Sequence, residues 1–184
     1  RYIAEKGPYP AWTDTQSRYY SVGDDAFPEM LEDLKKAKHF IFMEYFILAE
    51  GEMWQEIFAV LKEKAAEGVD VRIIYDDVGS INRTPKRFLS ILAENGIKVL
   101  PFNPLTPIAS LIYNNRDHRK ILVIDGYIAY SGGFNIADEY INRIVRFGHW
   151  KDTGIRLEGH GVWNFTVMFL NMWNAFVKTD TDYS

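Results

Sequence analysis

The chain has 184 residues, 47% of them hydrophobic and 25% charged, with a net charge of −4, a balance that fits one globular domain with a substantial core. The acidic excess argues against a nucleic-acid binder, because neutralising phosphates supplies most of such a protein's affinity. There is no Cys for a disulfide or a thiolate metal site, the four histidines lack zinc-ligand spacing, and no apolar run reaches the roughly 18 residues that span a bilayer.

Residues 1–15 have little periodicity and read as an opening loop. Arg18–Val22 reads as a short strand. Asp24 or Asp25 is placed to cap a helix running to about Lys38, with Phe27, Met30, Leu31 and Leu34 at helical spacing. His39–Ile47 is nearly all apolar and fits a strand buried on both faces. Glu52–Glu67 repeats apolar residues at Met53, Ile57, Val60 and Leu61 and then meets Gly68, which predicts an amphipathic helix with a glycine stop. Val69–Tyr75 reads as a strand ending in Asp76-Asp77. Pro85 starts another helix that closes at Asn95-Gly96, and Ile97–Leu100 is a short strand. Residues 101–116 form a loop containing Pro101, Pro104 and Pro107. Strands alternating with helices predict an α/β domain with parallel pairings.

From His118 the pattern changes. His118–Ile124 reads as a strand, Asp125-Gly126 is a strong two-residue hairpin signal, and Tyr127–Ser131 is the return strand. The expected fold is therefore α/β: a mixed β-sheet flanked by helices on both faces. A helix is expected from Ile136 to Asn142, a strand over Trp150–Leu157, and an apolar, aromatic helix over Val162–Val177 that covers one face. Met168, Trp173 and Phe176 fit a core better than a lipid-facing surface.

The hairpin carries the chemistry. His118 and Lys120 are two apart on a strand, so they point to the same face with Cα atoms roughly 6–7 Å apart, a span one phosphate can bridge. Asp125 falls out of register with His118 and reads as a turn and hydrogen-bonding residue rather than a catalytic acid. Gly132 and Gly133 permit positive φ and close backbone approach to a ligand. Asn135 can donate its amide to a phosphate oxygen or cap the following helix. A nucleophilic histidine needs one ring nitrogen free and its proton held on the other, commonly by a carboxylate. Asp138, Glu139 and Asp152 are candidates; Asp152 is preferred because a neighbouring strand would hold it rigidly. Glu44 is either a second carboxylate near the pocket or a satisfied core acid. Asp76 and Asp77 read as caps more than as substrate contacts. Arg116, Arg119, Arg143 and Arg146 could form a local basic rim, and His149 reads as structural.

These residues resemble the HKD motif of the phospholipase D superfamily. Glu44–Ile47, Tyr75–Ser80, Phe102-Asn103-Pro104, Asn115–Lys120, Ser131–Tyr140 and Trp150-Lys151-Asp152 are similar to the first catalytic half of bacterial cardiolipin synthases. The resemblance spans nearly the whole chain. It implies that His118 attacks phosphorus to form a phosphohistidine, or acts as the acid opposite it. Lys120 and Asn135 would hold phosphate oxygens, and Asp152 would orient the histidine. Neither a cofactor nor a metal is implied. The implied reaction moves a phosphatidyl group from one phosphatidylglycerol to another, at the cytoplasmic face of the bacterial membrane. Such enzymes use two motifs, and this chain has one. The expectation is therefore one phospholipase D-like domain over residues 1–184, a fragment that pairs with a second half in a longer chain or with a symmetric copy. A membrane anchor would then lie elsewhere. The alternatives are a single-motif homodimeric phosphodiesterase or nuclease, and a non-catalytic module that binds an anionic headgroup.

Overall fold

The computed structural model describes residues 9–104 and 115–177. In chain order these form β1 (Gln16–Tyr20), α1 (Gly23–Lys35), β2 (Phe40–Tyr45), α2 (Glu52–Ala66), β3 (Asp70–Asp76), α3 (Phe88–Glu94) and β4 (Lys98–Phe102). After the gap come β5 (Lys120–Ile124), β6 (Ile128–Gly132), a 3-10 turn (Asp138–Ile141), β7 (Gly154–Glu158), a 3-10 turn (His160–Val162) and α4 (Trp163–Phe176).

The strands make one mixed sheet in the order β1-β7-β6-β5-β2-β3-β4. Strands β2, β3 and β4 run parallel, and β5 returns antiparallel to β2. All six residues of β2 are buried, because helices cover both faces. On one face Met43, Tyr45, Leu122, Ile124 and Tyr130 pack with Phe27, Met30 and Leu34 of α1, Ile57 and Leu61 of α2 and Leu92 of α3. On the other, Phe42, Ile74, Ile121 and Val123 meet Phe169 and Trp173 of α4. Phe42 stacks on Phe169 with ring centroids 4.6 Å apart.

Several local expectations change. Neither Asp24 nor Asp25 caps α1: the N-cap is Val22, which makes no side-chain cap, and the two acids lie in the first turn where the helix dipole favours them. Pro85 leads into a turn rather than a helix, since Arg87 takes a left-handed φ of 61° and α3 starts only at Phe88. Pro101 belongs to β4, not to a loop. Strand β4 lies at the border of the sheet, and the carbonyl of neighbouring Phe102 accepts Asp77 N at 3.2 Å, so Pro101 turns its nitrogen outward where no ladder bond is lost. Pro107 lies outside the described residues.

The helix expected at Ile136–Asn142 is replaced by extended backbone and one 3-10 turn. Ile136 bridges in parallel to Leu48, donating to Ile47 O and accepting from Ala49 N. The Asp138 carboxylate is drawn away to cap α2, accepting Glu52 N at 3.0 Å and Met53 N at 2.8 Å. Asn142, at φ 53°, ends the segment. Asp125 and Gly126 both have positive φ (52° and 66°), as a tight hairpin requires.

Candidate functional site

Strand β5 begins at Lys120, which pairs with Tyr45, the last residue of β2. His118 and Arg119 thus precede the strand rather than form its first residues. Beyond Tyr45 the chain bends, and the aromatic ring of Phe46 fills the space beside the motif. The His118 ring lies 4.8 Å from the Phe46 ring and is exposed, while the Lys120 ammonium sits 5.5 Å from the same ring and is buried. The imidazole and the ammonium therefore share one wall. Lys120 Nζ donates to His118 O at 2.7 Å, which leaves two of its three N–H groups without partners among the described residues. Burial lowers the Lys120 pKa, and the charges of Asp152 and Asp117 partly offset this.

Asn135 is also buried. Its Oδ1 accepts Ile47 N at 2.9 Å, and its Nδ2 donates to the Tyr140 hydroxyl at 2.9 Å. It caps no helix of its own. Both contacts fix which end of the amide is nitrogen, and one N–H remains for a ligand oxygen. Asp152 precedes β7 instead of lying on a strand, because pairing of β6 with β7 stops at Gly132 opposite Gly154. Its carboxylate lies over Gly133, where a Cβ would overlap it, and accepts Trp150 Nε1 at 3.3 Å. No hydrogen bond joins Asp152 to His118 among the described residues; its electrostatic partner is Lys120. The two glycines make room for this segment: Gly132 takes φ 153° against Thr153, and Gly133 N donates to Thr153 O at 2.9 Å.

The backbone beneath His118 is fixed by Asp76 at the C-terminal end of β3. This buried carboxylate accepts Asp117 N at 3.0 Å, Gly79 N at 3.0 Å and Arg116 Nη1 at 3.2 Å. Ser80 Oγ accepts Leu48 N at 3.0 Å and donates to Phe46 O at 3.3 Å. The Asp76–Ser80 turn thus buttresses both His118 and Phe46. Asp125 lies at the far end of β5, roughly 16 Å along the strand from Lys120. Its two oxygens accept the backbone N–H groups of Lys38, His39 and Phe40, each at 2.8 Å.

The four arginines do not form an open basic rim. Arg116 pairs with Asp76, Arg119 with Asp117 and Glu44, Arg143 with Glu52 and Glu56, and Arg146 with Glu139. Glu139 also pairs with Arg83. Among the described residues no group of three or more His, Asp or Glu is arranged to hold a metal ion.

Glu44 is fully buried on the sheet face opposite Lys120, with Arg119 Nη2 2.8 Å from Oε1. That approach lacks hydrogen-bond alignment, and its pull toward the charged form is outweighed by burial and Asp117. With both acids ionised, neither Glu44 oxygen nor Asp117 Oδ2 has a donor. Burial, reinforced by Asp117, pushes the Glu44 pKa from 4.5 up to about 9, so Glu44 holds a proton that it can donate to Asp117. The folded protein thus keeps a proton that the unfolded chain releases between about pH 4.5 and 9, and stability from this group falls as pH rises through that window. Glu44→Gln, whose amide can also donate to Asp117, is expected to flatten the decline. Urea unfolding at pH 6 and pH 9 measures it; equal slopes for both proteins would refute the protonated state.

The fold defines an open mixed α/β domain of the phospholipase D type. It superposes on Nuc of Salmonella typhimurium, described as a phospholipase D family member, with a TM-score of 0.65 and 20% identity over 88% of this chain and 94% of that one. Residues 30–145 match the family described as cardiolipin synthase, PLD-like domain, and the chain belongs to that family. A Streptococcus mutans protein described as uncharacterized is 49% identical over the whole of this chain and 39% of its own length. A cardiolipin synthase of a Geobacillus species is 39% identical over 91% of this chain and 33% of its own. The chain thus spans roughly a third of the length of the curated relatives it matches.

Proposed function

We propose that this chain supplies one half of a site that transfers a phosphatidyl group between two phosphatidylglycerol molecules through a phosphohistidine on His118. One observation carries the reading: an exposed imidazole and a buried ammonium with spare donors lie against one aromatic ring, beside a pinned amide. His118 attacks phosphorus with a neutral ring nitrogen. The bond to the departing glycerol oxygen breaks, and that oxygen takes a proton from an acid across the site. The hydroxyl of a second phosphatidylglycerol then attacks the phosphohistidine, giving its proton to the same group and releasing His118. Lys120 and the free N–H of Asn135 stabilise charge on the five-coordinate phosphorus. The resemblance to two-motif enzymes implies that this acid is a second histidine, and among the four histidines of this chain only His118 carries the full motif. A second motif in the same longer protein, or a symmetric copy, supplies it.

The identity of the cardiolipin synthase relatives, and the pairing of Arg116, Arg119, Arg143 and Arg146 with carboxylates, favour this reading over a single-motif nuclease. Brief incubation of the full-length protein with phosphorus-labelled phosphatidylglycerol, followed by quenching, is expected to trap label that is acid-labile and base-stable. Full turnover without any such adduct on His118 would overturn the covalent route.

Asp152 supports the Lys120 ammonium electrostatically. Asp152→Asn is therefore expected to let Lys120 lose its proton at lower pH and to shift the alkaline limb of kcat/KM acidward. A pH profile that keeps its alkaline limb in place would remove Asp152 from this role.

A further inference from the structure

The segment Asn142–Lys151 leads directly into the site: Trp150 within it bonds Asp152, and Phe147 packs 6.0 Å from the Trp150 ring. Its tip is unusual for a globular surface. Val145 is 82% exposed, Phe147 79% and Ile144 49%. A folded protein scatters single apolar side chains on its surface, but three within four residues of one loop form a patch. The segment holds Arg143, Arg146, His149 and Lys151 and no acid. Its base is anchored: Arg143 pairs with Glu52 and Glu56 of α2, Arg146 pairs with Glu139, and Asn142 accepts Trp150 N and donates to Trp150 O. Arg146 also lies over the Phe147 ring at 5.2 Å. The apolar tip is thus presented on a fixed support; Arg143 and Arg146 are held by carboxylates there, and exposed Lys151 is the cation whose stem can lie along an apolar surface.

Two occupants would cover such a tip. A protein partner needs roughly 800 Å² per side for a stable interface, whereas three side chains on one loop offer only a few hundred. A lipid surface needs no matching contour and rewards this composition: apolar groups enter the acyl boundary while cations remain among the headgroups.

We infer that the Ile144–Phe147 tip docks the domain on a phospholipid bilayer, inserting beside the mouth of the His118 site. The inference rests on the phosphatidyl-transfer reading for its purpose, since a bilayer-held substrate must be met at its surface. Its physical basis is the loop alone.

The chain contains no Cys, so Val145→Cys gives a unique labelling position in these 184 residues. A polarity-sensitive fluorophore there is expected to shift to the blue and brighten severalfold when phosphatidylglycerol vesicles are added, and to be quenched by lipids brominated on their acyl chains. The same label at Tyr127→Cys, on the hairpin turn at the opposite end of β5, should not respond. An unchanged spectrum at position 145, or an equal change at position 127, overturns the inference. His118→Asn should dock like the unmodified chain. In the full-length protein with His118 intact, docking without phosphatidyl transfer would remove only the proposed reaction, and transfer on vesicles without a signal at position 145 would remove only the docking loop.

Discussion

His118→Asn in the full-length protein is expected to reduce cardiolipin formation from phosphatidylglycerol by at least about 10⁴-fold, the scale on which losing a covalent nucleophile acts. Folding should be untouched. The ring is exposed and its described contact is one face of Phe46, and surface changes of this kind shift stability by only about ±0.5 kcal/mol. The phosphoenzyme should vanish with turnover. If the variant keeps activity within tenfold of the parent while thermal unfolding is unchanged, His118 is not the nucleophile, and the proposed route fails with it.

The third residue of the motif should behave in the opposite way. Asp125→Ala removes a carboxylate that accepts three backbone N–H groups at the start of β2, where α1 hands over to the central strand. Charge-assisted hydrogen bonds contribute about 1.5–3 kcal/mol each and are not additive, so the expected cost is about 3 kcal/mol. Urea unfolding of the two proteins measures it. Turnover per folded molecule should hold, because the carboxylate is a strand's length from Lys120. A stability loss below about 1 kcal/mol, or a well-folded variant without activity, would contradict the structural role.

How much of this was legible in the sequence varied with the range of the forces involved. The apolar run of β2 shows its double burial directly, and Asp125-Gly126 shows a turn, because both signals are local. The Ile136–Asn142 helix failed because Asp138 serves α2, 86 residues earlier in the chain, and Ile136 bridges to Leu48. The strand expected over Trp150–Leu157 starts only at Gly154, leaving Asp152 outside it, because β6 pairs with β7 no further than Gly132, which no local signal shows. Phe46, Tyr140 and Trp150 frame the site; they lie in stretches that carry the family resemblance, but nothing local in the sequence assigns them a place beside His118 or Asn135. The register of β2 against β5 alone would set Phe46 opposite Arg119; its ring reaches His118 and Lys120 only because the chain bends after Tyr45, a bend with no local signal. Asp76 shows the same limit. Its position at a strand end was visible, but its three partners come from Gly79, Arg116 and Asp117.

The outward nitrogen of Pro101 carries a consequence beyond the chemistry. A sheet with a free flank invites a stray strand from another molecule to zip on, and that zipping needs an uninterrupted row of donors. On β4 the row is broken by a ring that has no hydrogen to give. Pro101→Val should restore the missing donor and make the protein more prone to clump on storage, with the fold itself intact.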